Sequence, residues 1–165
     1  MEQIRKISIN DNDYPKLLKK ISNPPKFLYF NGRLPKSNEL CFAIVGTRLC
    51  SSYGKQAVLE IASQLANAGI IIVSGLAPGI DTFAHKPALE NKKRVIAVLG
   101  TGIDEQSIYP KENIPLAKKI IENNGCLIYA QGKQKVVFIY KDAIDIFRDE
   151  IKNKASKMPK FDEVY

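Results

Sequence analysis

Three glycine-bearing loops, each directly after an apolar run, are the segments of this sequence best suited to bind an anion. They contain the candidate binding residues Gly46, Thr47 and Arg48, then Ser74, Gly75 and Gly79, then Gly100, Thr101 and Gly102. Glycine lets the backbone approach a ligand closely. Each loop leads toward a predicted helix N-terminus, which favours anions, and the Arg48 guanidinium suits phosphate. The pattern predicts a phosphate-binding pocket; the alternative is that these glycines only make tight turns.

Acid–base or nucleophilic chemistry has few candidates beside these loops. The carboxylates there are Asp81 and Asp104, and Asp81 is expected to cap a helix or to organise its loop. His85 is the single histidine of the chain and is expected to be a structural hydrogen-bonding residue. A nucleophile with a base and an orienting acid cannot be assembled from these residues. The sequence therefore predicts a binding protein with no catalytic residue, no metal and no organic cofactor.

Two known phosphate-binding motifs are excluded by their spacing. Seven residues separate Gly46 from Gly54, and Lys55 is not followed by the Ser or Thr that a P-loop requires. The stretch that begins at Gly100 has Glu105 where a dinucleotide-binding fingerprint has its third glycine. The loops therefore match neither motif.

Strands that alternate with helices must position these loops. Apolar runs predict strands at 41–45, 70–73, 94–99 and 126–129, and helical spacing predicts helices at 53–68 and 113–124, with a short helix around His85 between them. This alternation implies right-handed crossovers and a parallel sheet. We expect an α/β fold that is Rossmann-like and doubly wound, with a mainly parallel sheet and helices on both faces. Ligands bind such sheets beyond the carboxyl ends of the strands, where the three loops lie.

The segments on either side of this core are less regular. Residues 1–40 are expected to form a preamble packed on the core, with a brief helix at 14–21 and a short strand at 27–30. The core itself covers 41–130. Residues 131–165 are expected to form a divergent extension, with a strand at 135–140, a charged amphipathic helix at 143–154 and a loose tail at 155–165.

Length and composition indicate one globular domain. The chain has 165 residues, a net charge of +8 and 45% hydrophobic residues. No apolar run approaches the roughly 18 residues of a membrane span, and no apolar signal segment opens the chain. Cys41, Cys50 and Cys126 are expected to be reduced residues of a cytoplasmic protein. The positive charge favours an anionic partner such as nucleic acid, although a Lys-rich solvated surface is the alternative explanation.

Three stretches together resemble the DprA/Smf family of DNA-processing proteins. They are Ala43-Ile-Val-Gly-Thr-Arg48, Ser74-Gly-Leu-Ala-Pro-Gly-Ile-Asp81 with Ala84-His85, and Ile96-Ala-Val-Leu-Gly-Thr-Gly-Ile-Asp104 with Tyr109-Pro110 and Asn113. The preamble also resembles the family, at Tyr14-Pro-Lys-Leu-Leu18. The resemblance covers about residues 14 to 128, with the motifs in order.

The resemblance implies a Rossmann-like core that binds single-stranded DNA in a basic pocket and has no established catalytic chemistry. It also implies a homodimer, help in loading the RecA recombinase and a role in natural transformation. Carried over by position, it assigns Gly46 and Arg48 to phosphates. It assigns Ser74, Gly75 and Gly79 to backbone and hydroxyl contacts.

The sequence departs from the family at three places. The family's serine-glutamate is absent near Tyr129-Ala130, and its FPxRNR stretch is missing, so residues 133–165 match no family motif. Pro87 stands where a small flexible residue is usual and is expected to kink or end the short helix. We therefore expect a truncated or divergent member after about residue 128.

A second class remains open. LOG-like phosphoribohydrolases share the superfamily and cleave nucleotides in a similar pocket, but their PGGxGTxxE motif is absent here. The missing motif argues against hydrolysis, so the alternatives are a LOG-like nucleotide-binding protein or phosphoribohydrolase and a nucleotide sensor without catalysis. Binding of an oligonucleotide or of a mononucleotide would separate the two classes.

Overall fold

The computed structural model of the protein describes residues 3–130, which form one mixed sheet and the helices that cover it. The strands are β1 (Arg5–Ser8), β2 (Phe27–Gly32), β3 (Cys41–Ala43), β4 (Ile71–Ser74), β5 (Val95–Leu99) and β6 (Cys126–Ala130). The α-helices are α1 (Ser52–Asn67), α2 (Ile80–Glu90) and α3 (Ile114–Glu122), and two short 3-10 helices lie at Leu18–Lys20 and Lys111–Asn113. The expected C-terminal strand, helix and tail lie outside the described residues.

The sheet has the order β1-β2-β6-β5-β4-β3. The four strands from β3 to β6 are parallel, whereas β2 runs antiparallel to β6, and β1 runs antiparallel to β2. Every residue of β5 is buried, as expected for a central strand covered on both faces. The carboxyl ends of β3, β4 and β5 therefore lie side by side at one edge of the sheet.

The expected Rossmann-like α/β fold is confirmed, and its layers differ in one respect from the doubly wound arrangement. Within residues 3–130 all three α-helices pack into one core with Ile72, Ala97 and Leu127. The parallel strands follow one another in the sheet without a reversal of order, so right-handed crossovers place the helices on the same side. The second face carries the N-terminal segment, with Tyr14 and Leu18 in its core.

The predicted helix at 14–21 is shorter in the structure, which has only the 3-10 helix Leu18–Lys20 there. Tyr14 is buried, and its hydroxyl donates to the carbonyl of Pro25 at 2.8 Å. Ile21 is buried at the other end of the segment. Because both ends are anchored in the core and nucleation of so short a helix is costly, the chain makes a single turn. Burial also raises the pKa of Tyr14 to about 12.

The N-terminal 40 residues contribute β1 and β2 to the same sheet as the core, and the division of the chain at residue 40 stays a prediction. β1 was not expected from the sequence. It is an edge strand of four residues in which Ile7 alone is buried, so its apolar signal is weak.

Pro87 does not end α2, which continues through it to Glu90. Proline cannot donate to the carbonyl four residues earlier, and this normally breaks a helix. Here Ala84, Ala88 and Leu89 are buried in the helix-side core around it, so packing holds the turn in place.

All three cysteines are free, with Cys126 buried and Cys41 and Cys50 partly buried. Within the part of the chain that the structure describes, no helix has the length and apolar character to cross a membrane.

Candidate functional site

The first two glycine loops meet around Asp81, in the first turn of α2. The carboxylate of Asp81 accepts hydrogen bonds from the backbone N–H of Gly46 at 3.3 Å and of Gly75 at 3.0 Å. Burial raises the pKa of this carboxyl, and the backbone hydrogen bonds oppose that rise. The N-cap of α2 is Gly79. Of the two roles expected for Asp81, the structure therefore assigns it that of loop organiser.

Two further hydrogen bonds fasten these loops together. The hydroxyl of Ser74 is fully buried and donates to the carbonyl of Ile44 at 2.6 Å. The N–H of Ile80 donates to the carbonyl of Thr47 at 3.1 Å. Ser74, predicted as a ligand contact, thus orients the loop that follows β3.

Gly79 is required by a close approach of backbone. It has a φ of +80°, and a Cβ there would lie 2.3 Å from the carbonyl oxygen of Thr47 and 2.5 Å from that of Arg48. No side chain fits that space. The sequence left open whether Gly79 serves the ligand or only its turn. The geometry supports the turn.

Residues 45–49 of the first loop are exposed, and Thr47 and Arg48 lie among them. The Thr47 hydroxyl hydrogen-bonds to the N–H and the carbonyl of Leu49, each at 3.2 Å, which holds the tip of the loop. The Arg48 side chain lies at the surface on this fixed backbone. It is therefore placed to meet an anion from solvent.

The third loop lies next to the second because it follows β5, which pairs with β4 in the sheet. Gly100 is exposed and has open space where a Cβ would be, whereas Thr101 and Gly102 are partly buried. The buried Asn113 amide supports the second loop, since it donates to the carbonyl of Leu76 and to the hydroxyl of Thr82, each at 2.8 Å. The three loops, residues 44–51, 74–81 and 100–104, form one surface that we call the glycine-loop edge.

Asn113 was not predicted as a site residue from its chemistry. Its signal in the sequence is a polar residue between Pro110 and an amphipathic helix, which also describes an ordinary helix start. Only the contact with Leu76, 37 positions away, distinguishes the two.

The remaining candidates for acid–base chemistry are held apart. Hydrogen bonds from Ser107 lower the pKa of the Asp104 carboxyl, so this side chain is ionised at neutral pH. His85 is fully buried, and burial lowers its pKa to about 3, so the ring is neutral. No group of three His, Cys, Asp or Glu side chains among residues 3–130 could hold a metal ion.

A cationic and aromatic cluster beside the first loop was missed by the sequence analysis. The ammonium of Lys55 on α1 lies 4.9 Å from the centre of the Phe83 ring on α2, and that of Lys86 lies 5.1 Å from it. Phe83 and Lys86 are three positions apart on one helix and therefore share a face. The pairing of Phe83 with Lys55 depends on helix packing, which no local pattern shows.

The sequence is similar to known proteins across these elements. Residues 5–138 match the family described as DNA recombination-mediator protein A. DNA processing protein DprA of Streptococcus pneumoniae is 41% identical over 132 residues, which cover 79% of this chain and 46% of that protein. Protein Smf of Borreliella burgdorferi is 38% identical over 120 residues, which cover 73% of this chain and 38% of that protein.

Two solved structures are similar in fold. The crystal structure of DprA from Streptococcus pneumoniae has a TM-score of 0.70 at 37% identity and covers 81% of this chain and 46% of that one. DprA from Helicobacter pylori, described for its unique mode of binding single-stranded DNA, has a TM-score of 0.60 at 30% identity. That match covers 80% of this chain and 58% of the Helicobacter chain. The chain thus spans less than half the length of the curated relatives compared above.

Proposed function

The chain belongs to the DNA recombination-mediator protein A family, a family of DNA-processing proteins, and from this premise we propose that it binds single-stranded DNA at the glycine-loop edge. Binding is through phosphates, with little preference for sequence, and the protein catalyses no reaction on the strand. The Helicobacter relative, whose structure is described by its binding of single-stranded DNA, supports the choice of ligand.

The observation that carries this proposal is that Arg48 is exposed on a loop whose backbone is fixed by buried side chains. Asp81 and Ser74 fix the backbone of the first loop through side chains that are themselves buried. The fixed backbone places the Arg48 side chain at this edge, and the planar guanidinium matches phosphate oxygens. Gly100, with open space at its Cα, offers a second place where backbone meets a strand closely.

The cationic cluster of Lys55, Phe83 and Lys86 extends this surface along the first turns of α1 and α2. A partly exposed aromatic ring can stack on a base of any type, and lysines beside it neutralise phosphates. Both features favour a strand of several nucleotides over a single nucleotide.

A salt-dependent binding titration tests the proposal. Labelled poly-dT, a duplex of equal length and AMP are titrated with the protein at several salt concentrations. We expect poly-dT to bind most tightly, with log affinity falling by roughly 0.7 per phosphate neutralised for each unit of log salt. Affinity for poly-dT that does not change with salt contradicts phosphate binding. Tighter binding of AMP favours the nucleotide-sensor alternative.

The resemblance also supports three finer proposals: contact with RecA, self-association as a homodimer, and a cytoplasmic role in natural transformation. The chain spans only part of its relatives, so the first two proposals are tested on the chain itself. Sedimentation of the purified chain measures its oligomeric state. Retention of RecA on the immobilised chain, with and without single-stranded DNA, measures the contact with RecA.

A further inference from the structure

A second cationic surface lies far from the glycine-loop edge, in an open groove of about 910 Å³ beside β1 and the end of β2. The charged residues that line it are Arg5, Lys6, Lys16, Arg33, Lys36 and Asp13. We call it the N-terminal groove. The lining thus includes five basic residues and one acidic residue, although the whole chain has 25 basic and 17 acidic residues.

Two of these cations are positioned on aromatic rings of β2. The Arg5 guanidinium lies 4.5 Å from the centre of the Phe30 ring, and it also donates to the carbonyl of Gly32. The Lys6 ammonium lies 4.1 Å from the centre of the Phe27 ring. This places it on the opposite face of the sheet from the Arg5 guanidinium, because neighbouring residues of a strand point to opposite faces. Such contacts hold the side chains while leaving their charge uncompensated.

Ion pairing neutralises only one of the five cations within residues 3–130. Arg33 pairs with Glu39 at 2.6 Å, and Glu39 is shared with Arg94. Lys16 and Lys36 are exposed. The groove therefore keeps a positive field that an anionic ligand would meet with little competition from the protein's own carboxylates.

The N-terminal groove lies at the sheet edge opposite the glycine loops. Gly32, which lines it, pairs with Cys126 at the start of β6, and Asn124 just before β6 also lines it. The glycine loops instead follow the carboxyl ends of the parallel strands. A strand of five residues separates the two edges by roughly 15–20 Å.

We propose that the N-terminal groove is a second binding site for nucleic acid, and that it takes the phosphodiester backbone of single-stranded DNA. Its cations come from three separate segments: β1, the turn before the first 3-10 helix, and the chain after β2. They are therefore suited to a row of phosphates better than to one small anion. The groove is an addition to the proposed function, because it holds a strand independently of the glycine-loop edge.

The test compares two triple charge reversals that change the net charge equally. One is Arg5→Glu, Lys16→Glu and Lys36→Glu, inside the groove. The matched control is Lys20→Glu, Lys93→Glu and Lys119→Glu, exposed lysines that line neither surface. Binding of labelled oligothymidylates of about 6 and about 30 nucleotides is measured by fluorescence anisotropy, because the shorter one is near the lower limit of single-strand site sizes.

We expect the groove variant to bind the long strand at least about tenfold more weakly than the control variant, with the salt slope reduced by about 2 for three lost phosphate contacts. Equal losses in the two variants would overturn the proposal, since net charge alone would then explain them. Thermal melting checks folding. If the groove variant unfolds, the corresponding triple substitutions to Gln replace both reversals.

Arg48→Ala distinguishes failure of this proposal from failure of the proposed function. If Arg48→Ala weakens binding of both strands and the groove variant weakens neither, the groove is not a site while the glycine-loop edge stands. If Arg48→Ala changes nothing and the groove variant loses the long strand, the groove binds alone and the edge proposal is wrong. A groove variant that loses duplex and keeps single strands would contradict the choice of ligand.

Discussion

At the scale of single residues, Arg48 separates ligand binding from folding. Arg48→Ala removes an exposed side chain, so we expect a change in unfolding free energy below about 0.5 kcal/mol. Loss of a charge-assisted contact should weaken binding of single-stranded DNA by about 1.5–3 kcal/mol, roughly 10- to 150-fold. Anisotropy titration and thermal melting measure the two effects, with Lys93→Ala as a matched exposed cation. A large fall in melting temperature with unchanged affinity would make Arg48 structural.

His85 is predicted to make stability depend on pH. Its folded pKa is about 3, below the unfolded value near 6.5, so the unfolded chain binds the extra proton between those values. Stability should therefore fall as the pH drops from 7, by about 2 kcal/mol at pH 5 from this residue.

The comparison with His85→Leu isolates that effect. Neither ring nitrogen of His85 has a hydrogen-bond partner among the residues that the structure describes, so leucine removes an unpartnered polar group. We expect the variant to be at least as stable at pH 7 and to lose less stability between pH 7 and 5. Denaturant unfolding at both pH values measures this. Parallel curves for the two proteins would show that His85 is hydrated or paired in solution.

At the scale of elements, the sequence predicts the buried strands correctly. It does not predict elements whose length depends on contacts with distant parts of the chain. The strands β4 and β5 were predicted because short continuous apolar runs are typical of parallel strands that are buried on both faces. The 14–21 segment has a helical pattern as well, but burial of Tyr14 and Ile21 leaves it a single 3-10 turn. Propensity decides little over so short a segment.

The glycine-loop edge likewise has features that the local sequence predicts and features that depend on distant contacts. The three loops were predicted because glycine follows each strand, and adjacent parallel strands bring them together. Asp81 was expected to cap a helix or to organise its loop, but its contact with Gly46, 35 positions away, was not predicted. The contact of Asn113 with Leu76, 37 positions away, was not predicted either. Such contacts depend on the packed fold and leave no local pattern.

A pair of glycine variants tests which glycines serve the fold and which serve the ligand. Gly79→Ala places a Cβ against two carbonyl oxygens at positive φ, so we expect a loss of about 1–3 kcal/mol in stability and weaker DNA binding. Gly100→Ala meets no atom within 4 Å and should fold normally, yet it should weaken binding if a strand approaches that backbone. Equal stability of the two variants, by thermal melting, would contradict the close approach at Gly79.

At the scale of the whole molecule, the positions of the cationic side chains say more about the partner than the net charge does. The net charge of +8 fits both a nucleic-acid partner and a solvated lysine surface, and composition cannot choose between them. The fold places Arg48 at one edge of the sheet and gathers five cations in the N-terminal groove at the other. A long strand that contacts both surfaces would gain affinity by effective concentration, which neither surface provides alone.

The same arrangement predicts that the protein does not hydrolyse nucleotides. A phosphoribohydrolase needs an acid or base within reach of the bound substrate. Asp81 is 6% exposed and occupied by two backbone N–H groups, and His85 is 0% exposed. Asp104 is tied into a turn with Ser107. We therefore expect no release of free base from AMP over hours at high protein concentration, measured by chromatography.

If free base is released, two variants show whether this protein catalyses the release. Activity lost in Asp104→Asn, or in Asp81→Asn when melting shows that the variant is folded, would overturn the binding-protein assignment in favour of the LOG-like alternative. Asp104→Asn is the cleaner change, because the Asp104 carboxylate organises only a local turn, whereas the Asp81 carboxylate joins two loops. Turnover that survives both changes would point to a contaminant, and DNA binding would stand.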